Sequence, residues 1–442
     1  MRRRRLLGAA LSAAAGGVGG GVLAGCGTGS PRPDGVLLDY LSLAWQKESV
    51  QVNKALVAEW NRAHPHSRVR YVQGSWDTVH DQLLTSFEGG SAPDVIHDEA
   101  GDLTDFAYGG YLADLRGLLP RALREEIPDR LWRTTTFRGG VHGVPILQEP
   151  RVLVANRKLL ERAGAPPPDA GAPWTWERFE EMARRLSGEA RGGGLRSRYG
   201  VAWALKEPVA QSLNLALTTG GRVFYREGGR NVVRFGARDA AVPELIRRQL
   251  RQDRTAAPGT LGMSGSDVLP GFFAGRYAMV PLNLSYRQQV RQQAPKGFDW
   301  VTLPLPRGEA ASGGGTEQGI SPQTLSVAQD CAHKEAAMAF IAFLARPGPL
   351  ARLAKGDWIL PTGETALRDP ALRTRAHGWR TGALSAPDLV ASPSLGVRGY
   401  PEWLDKVATP AFQEFYNGGT DVAGLRERLV GDGNRVLARY QR

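Results

Sequence analysis

The chain has 442 residues, 42% of them hydrophobic and 23% charged, with a mean hydropathy of −0.30. That composition excludes a multi-span membrane protein, a collagen-like fibre and a mostly disordered chain, and two cysteines exclude a disulfide-dense scaffold or a four-cysteine zinc site. Of the net charge of +12, four charges are Arg2 to Arg5, which leaves +8 spread thinly over the rest, too dilute for a nucleic-acid-binding stripe.

Residues 1–25 read as a signal peptide. Arg2 to Arg5 form its charged start, and Leu6 to Ala24 is apolar or small throughout. Gly16, Gly17, Gly19, Gly20 and Gly21 make that stretch too poor a helix former for a membrane anchor. It ends in Leu23-Ala24-Gly25-Cys26, which looks like a bacterial lipobox, with cleavage before Cys26 and lipid on its thiol. An ordinary secretory signal with an incidental cysteine is the plainer reading of the same residues. The consecutive arginines fit a twin-arginine export route as well as the general secretory one. Residues 26–35 then form a Gly/Pro/Ser linker with nothing to pack. Cys331, the second cysteine, reads as a small buried hydrophobe.

Beyond the linker, strands and helices alternate. Val36 to Leu43 predicts a buried strand, and Val52, Leu56, Trp60 and Ala63 mark a helix over Gln46 to Ala63. Val69 to Val72 predicts a second strand, Val79 to Phe87 a second helix, and Asp94-Val95-Ile96 a third strand. This rhythm points to a parallel or mixed sheet with helices on both faces. Further on, Val144 to Leu147 and Arg151 to Val154 are apolar runs, and Asn156 can cap a helix that stops at Gly164. Thr175 is placed to cap a second helix, with Glu177 and Glu180 at its positive end. A turn at Phe273 to Tyr277 feeds a strand through Val280, and a helix runs from Lys334 to Leu344 until Pro347 stops it.

The order and spacing of these segments resemble the family 1 extracellular solute-binding proteins of ABC importers, of the maltose and multiple-sugar type. The stretches that carry the resemblance are Gly90 to Ile96, Gly143-Val144-Pro145 with Asn156-Arg157-Lys158, Thr175 to Phe179, and Phe273 to Met279. The glycine-rich Gly313-Gly314-Gly315 and the Trp358 to Pro361 turn fit as well, and the likeness runs from about residue 36 onward. Where many relatives carry Tyr-Tyr-Asn, this chain has Val154-Ala155-Asn156, close to the expected cleft. The resemblance implies an α/β, two-lobe periplasmic-binding-protein-like (type II) fold, each lobe a mixed sheet flanked by helices, joined by a hinge. Lobe one would take residues 36–148 and 284–335, lobe two residues 149–283 and 336–442. It also implies a carbohydrate ligand, mono- or oligosaccharide, captured by hinge closure and delivered to membrane permease subunits driven by a separate ATPase. The chain has no GxxxxGK[ST] phosphate loop of its own. The protein would be a monomer, tethered through Cys26 to the extracytoplasmic face of the cell membrane, with no nucleic-acid partner, no cofactor, no metal and no catalytic residues.

Sugar binding needs aromatic faces for pyranose C–H surfaces, and carboxylates and amides for hydroxyls, which both donate and accept. Ligands of open α/β sheets sit beyond strand C-termini. Trp45 and Gln46 follow the first strand, Asp98 and Glu99 the third, and Gln148 and Glu149 the Val144 run. The resemblance places a ligand-binding acid at Glu149 and a second at Glu207, and Asn283 and Tyr286 follow the Ala278 strand. Trp203, Trp358, Tyr400 and Trp403 are candidate stacking platforms, with core packing as the plainer reading of each. Asp102 is either a ligand group or a helix cap. Two other classes are open. His97, Asp98, Glu99 and Asp102 could hold a metal or metal chelate, and Asp98, Glu99 and Glu149 could form the acid–base pair of an exported hydrolase. Against the second, Gly262-Met263-Ser264-Gly265-Ser266 lacks the last glycine of a nucleophile elbow.

Overall fold

Burial of alternate and adjacent apolar residues in Val36–Ser42 (Leu38, Tyr40, Leu41) sets the first strand into a core from the start. A computed structural model of the protein describes residues 35–165, 174–189, 197–308 and 315–441. The proposed signal peptide, Cys26 and nearly all of the linker lie outside the described residues. Val36–Ser42 pairs in parallel with Ser67–Gln73 on one side and with Val95–Glu99 on the other. The helix Lys47–Ala63 crosses between the first two, burying Leu56, Val57 and Trp60, so the expected parallel unit is present. Gln323–Val327 then adds antiparallel to Val95–Glu99, followed by Val144–Gln148 and, at the edge, Leu360–Pro361. The result is a six-stranded mixed sheet.

A second, four-stranded sheet is ordered Trp300–Leu303, Arg151–Asn156, Tyr277–Asn283, Tyr199–Val201. Its central strands are apolar on both faces (Val152, Leu153, Val154 and Ala155 are fully buried), as expected of strands covered by helices on each side. The caps read from sequence are in place. Asn156 Oδ1 accepts from the Leu159 N–H at 3.2 Å, and Thr175 Oγ1 from the Arg178 N–H at 3.4 Å. Trp174 and Trp176 pack edge-on against Phe179 beneath this sheet. The arrangement is the expected α/β fold of two lobes.

Two stretches pack differently from the boundaries expected in sequence. Leu284, Val290 and Leu303 belong to the cores of the second sheet, because Trp300–Leu303 pairs with Arg151–Asn156. Conversely, the helices Lys334–Leu344 and Pro347–Asp357 dock on the first sheet. Phe340 sits edge-to-face against Tyr40 at 5.4 Å and Trp60 at 5.5 Å. The chain therefore returns to the first lobe near residue 318 and leaves it only after Leu389–Ala391, whose strand pairs in parallel with Gln318–Ile320. From there the helices Tyr400–Trp403, Thr409–Asn417 and Gly433–Tyr440 complete the second lobe. Three segments thus join the two cores, at 148–151, 315–323 and 391–397.

Candidate functional site

All three joining segments reach one cleft. Glu149 and Arg151 come from the first, Gly319, Ile320 and Ser321 from the second, and Ser392 to Val397 from the third. The cleft has a volume of about 420 Å³. Its other walls are Glu99, Asp102 and Asp105 at the end of the Val95–Glu99 strand and in the helix Ala100–Tyr108, and the helix Pro208–Ala216 from the opposite lobe. A smaller chamber of about 80 Å³ continues from it, sharing Arg151 and Asn283 and adding Glu207, Gln211 and Tyr286.

Glu99 occupies the strand exit because Gly101 leaves it room. A Cβ at Gly101 would stand 3.2 Å from Glu99 Oε1, and the Gly101 N–H donates to Ser321 Oγ at 2.9 Å. Burial, with the Asp102 charge adding to it, raises the Glu99 carboxyl to about 7. Asp102 is held up by burial too, against the opposing pull of His80, whose Nδ1 lies 3.3 Å away. Glu149 Oε1 accepts the Ser285 N–H at 2.7 Å, while Oε2 faces Asn283 Nδ2 at 3.5 Å. Burial raises its pKa and the Ser285 bonds oppose the rise. Arg151 is anchored by its own N–H, which donates to Gln318 Oε1 at 2.7 Å. Burial lowers its pKa, against Glu149 and Glu207. In the smaller chamber the Tyr286 ring lies against Gly265, where a Cβ would come within 2.6 Å of it.

Two amides face the site with capacity to spare. Asn214 Nδ2 donates to the Gly319 carbonyl, tying helix to joining segment, and its Oδ1 has no partner among the described residues. Gln211, 1% exposed, has an unpartnered Nε2. A ligand donor would satisfy the first and a ligand acceptor the second. The cleft is therefore fitted for a compact group that both donates and accepts hydrogen bonds, bounded on one side by the Tyr400 ring and Leu395.

Of the residues expected from sequence, the structure brings together Glu99, Asp102, Glu149, Glu207, Asn283, Tyr286 and Tyr400. The others fall elsewhere. Trp203, Trp358 and Trp403 are core residues, not platforms. Trp203 Nε1 donates to Gln249 Oε1 at 2.8 Å, and Trp358 Nε1 to Glu48 Oε2 at 2.8 Å. The Trp403 ring packs on Phe224 at 4.8 Å. None of the three is more than 3% exposed. Gln46 is buried at the start of its helix and Trp45 is half exposed, and neither lines the cleft. Asp98 sits beneath Glu99, its Oδ1 accepting the Glu99 N–H at 2.8 Å, and burial raises its pKa well above the usual carboxylate range. Gln148 turns its amide away, donating to the Pro361 carbonyl at 2.9 Å. Asp102 lies in the first turn of its helix and lines the cleft.

His97 is also withdrawn from any ligand set. Its Nδ1 accepts the Leu43 N–H at 3.1 Å, which leaves Nε2 to carry the proton and donate to Gln323 Oε1 at 2.9 Å. Burial lowers its pKa to about 4, so the ring is neutral. Among the described residues no group of three or more histidine, cysteine or carboxylate side chains is arranged to hold a metal ion.

Sequence reasoning missed Arg151, Asp105, Gln211, Asn214 and the Ser392 to Val397 segment. The amides stand on Pro208–Ala216, directly after Glu207, and helical spacing from that acid would have found them.

Comparison with known proteins decides the family. Residues 46–350 match the model of the bacterial extracellular solute-binding proteins. The chain belongs to that family. This solute-binding protein is 56% identical over 412 residues to a Streptomyces antibioticus protein described as an uncharacterized lipoprotein in the oleD 5' region, covering 93% of this chain and 89% of the relative. Among solved structures it is similar to the sugar-binding protein MalE of Xanthomonas citri (21% identity, TM-score 0.77, 92% of this chain and 98% of that one). It is also similar to the cyclic alpha-maltosyl-1,6-maltose binding protein of Arthrobacter globiformis (16%, 0.76, 92% and 100%) and to the GacH receptor of Streptomyces glaucescens, solved unliganded and with acarbose (17%, 0.73, 92% and 99%). At these identities the structural likeness speaks for the fold. Family and fold are those of extracellular binding proteins.

Proposed function

We propose that this solute-binding protein is an extracytoplasmic lipoprotein, anchored through Cys26, that captures a carbohydrate in the cleft and hands it to ABC permease subunits powered by a separate ATPase. The observation that carries the reading is the make-up of the cleft. Its walls come from both lobes and all three joining segments, and they present carboxylates (Glu99, Asp102, Glu149, Glu207), amides (Asn214, Asn283, Gln211) and a Tyr400 face. Hydroxyls that donate and accept are the groups such walls satisfy. The ligands printed in the names of proteins sharing the fold, acarbose and maltosyl-maltose among them, support the same class.

The ligand is bound and released unchanged. Glu149 already accepts the Ser285 N–H, which holds its carboxylate in place as a hydroxyl acceptor. Closing the lobes brings Glu99 and Asp102 against Gln211 and Asn214 only when a ligand bridges them, and that differential contact is what drives closure. Titration calorimetry against a panel of mono- and oligosaccharides, with and without chelator, tests the reading. One sugar should bind at one site per chain, indifferent to chelator, and be recovered intact. Turnover, or binding that needs metal, would replace it.

A further inference from the structure

A second cavity, of about 660 Å³ and so roomier than the cleft, shares no lining residue with it. It lies beside the first joining segment. Gln148 lines this cavity, and its neighbour Glu149 lines the cleft. Its size falls within the range of small-molecule sites, about 300–1,000 Å³.

Its charge is one-sided. Arg130, Arg368, Arg373 and Arg380 face a single carboxylate, Glu364. Glu364 pairs with Arg368 at 3.5 Å in the open, and its charge also acts on Arg130. Arg373 and Arg380 have no ion-pair partner among the described residues, and both are exposed at the rim. Arg130 Nη2 donates to the Ala386 carbonyl at 3.2 Å, while its Nη1 is buried with no partner among the described residues. A buried guanidinium N–H left open costs free energy until an acceptor arrives. Gln148 supplies the complementary demand. It is 1% exposed, its Nε2 is engaged by Pro361, and its Oε1 has no partner among the described residues. Oε1 accepts only, so it calls for a donor. The helix Trp379–Ser385, which carries Arg380, also lines the cavity with the apolar Ala383 and with Leu384, which is 42% exposed.

We propose that this cavity is a second binding site, for a small hydroxylated organic anion such as a sugar phosphate or sugar acid. The anionic group meets Arg130 Nη1 and the Arg373 and Arg380 guanidiniums. A hydroxyl donates to Gln148 Oε1, and the carbon skeleton lies on the Leu384 wall. A bare inorganic anion satisfies the arginines but not that wall, and a neutral sugar satisfies the amide but not the arginines. The site is independent of what the cleft binds.

The test is phosphorus-31 NMR titration of the purified chain with glucose 6-phosphate, which reads the phosphate directly. Saturable binding at one site per chain is expected. Replacing both rim arginines (Arg373→Gln with Arg380→Gln) should weaken it at least about tenfold, since charge-assisted bonds are lost. The melting temperature and sugar binding in the cleft should not change, because neither residue packs in a core or lines the cleft. Inorganic phosphate should bind at least about tenfold more weakly than glucose 6-phosphate. No saturable binding, or equal binding by the double variant, would overturn the site. Inorganic phosphate binding as tightly as the ester would overturn the assignment to a hydroxylated anion.

Discussion

Glu99 is where packing and ligand chemistry meet. Its carboxyl is raised to about 7 by burial and by Asp102, so the folded chain holds a proton there that the unfolded chain releases near pH 4.5. A group raised in this way contributes stability that is complete below its unfolded pKa and is lost as pH climbs through its folded one. The change is on the order of 3 kcal/mol between pH 4.5 and 7. Urea unfolding at pH 5 and pH 8 should show stability falling with pH, and Glu99→Gln should flatten that part of the slope. An unchanged slope in the variant would place the titration on Asp98 and Asp102 instead. Ligand binding should run the other way. Hydroxyls donate to the ionised carboxylate, so affinity should drop below about pH 7 in the parent and not in Glu99→Gln.

Glu149 and Glu207 separate two roles that looked alike in sequence. Glu207 is exposed at the head of the helix Pro208–Ala216, and its charge acts on Arg151. Glu207→Ala should weaken sugar binding roughly tenfold to a hundredfold with the melting temperature unchanged, as calorimetry and thermal unfolding would show. Glu149 also secures the Ser285 N–H. Glu149→Ala should therefore lower both affinity and stability, the latter by about 1–3 kcal/mol.

At the scale of elements, the sequence was legible where local chemistry decides. Asn156 and Thr175 cap the helices their side chains fit, and Trp60 packs as its helical spacing implied. Strand exits put Glu99 and Glu149 in the cleft for the reason given from topology. What failed was partner choice over long range. Nothing in Lys334–Leu344 states which sheet its apolar face will cover. Nor does an isolated Trp203 or Trp358 announce that a distant Gln249 or Glu48 will take its indole N–H. The aromatic residue that does line the cleft, Tyr400, differs from Trp403 only by one helical turn. The placement of Lys334–Leu344 can be tested directly. Phe340 is fully buried against Tyr40 and Trp60, so Phe340→Ala should cost about 3–5 kcal/mol. Hydrogen exchange in that variant should rise first in Val36–Ser42 and Val95–Glu99. Faster exchange confined to Arg151–Asn156 and Tyr277–Asn283 would return the helix to the second lobe.

On the proposed function, the whole molecule is a trap whose two halves are complementary to the ligand only together. Glu99 and Asp102 stand on one lobe and Gln211, Asn214 and Glu207 on the other, so both sets reach one ligand only when the lobes close on it. A ligand that binds the closed form better stabilises the chain by mass action, by about 2.7 kcal/mol at a hundredfold excess over its dissociation constant. Small-angle X-ray scattering of the chain, alone and saturated with the sugar that calorimetry selects, tests this most directly. A smaller radius of gyration with ligand, lost in Glu207→Ala at a sugar concentration that saturates only the parent, is the result expected of a closing cleft. The same radius with and without a sugar that demonstrably binds would contradict it.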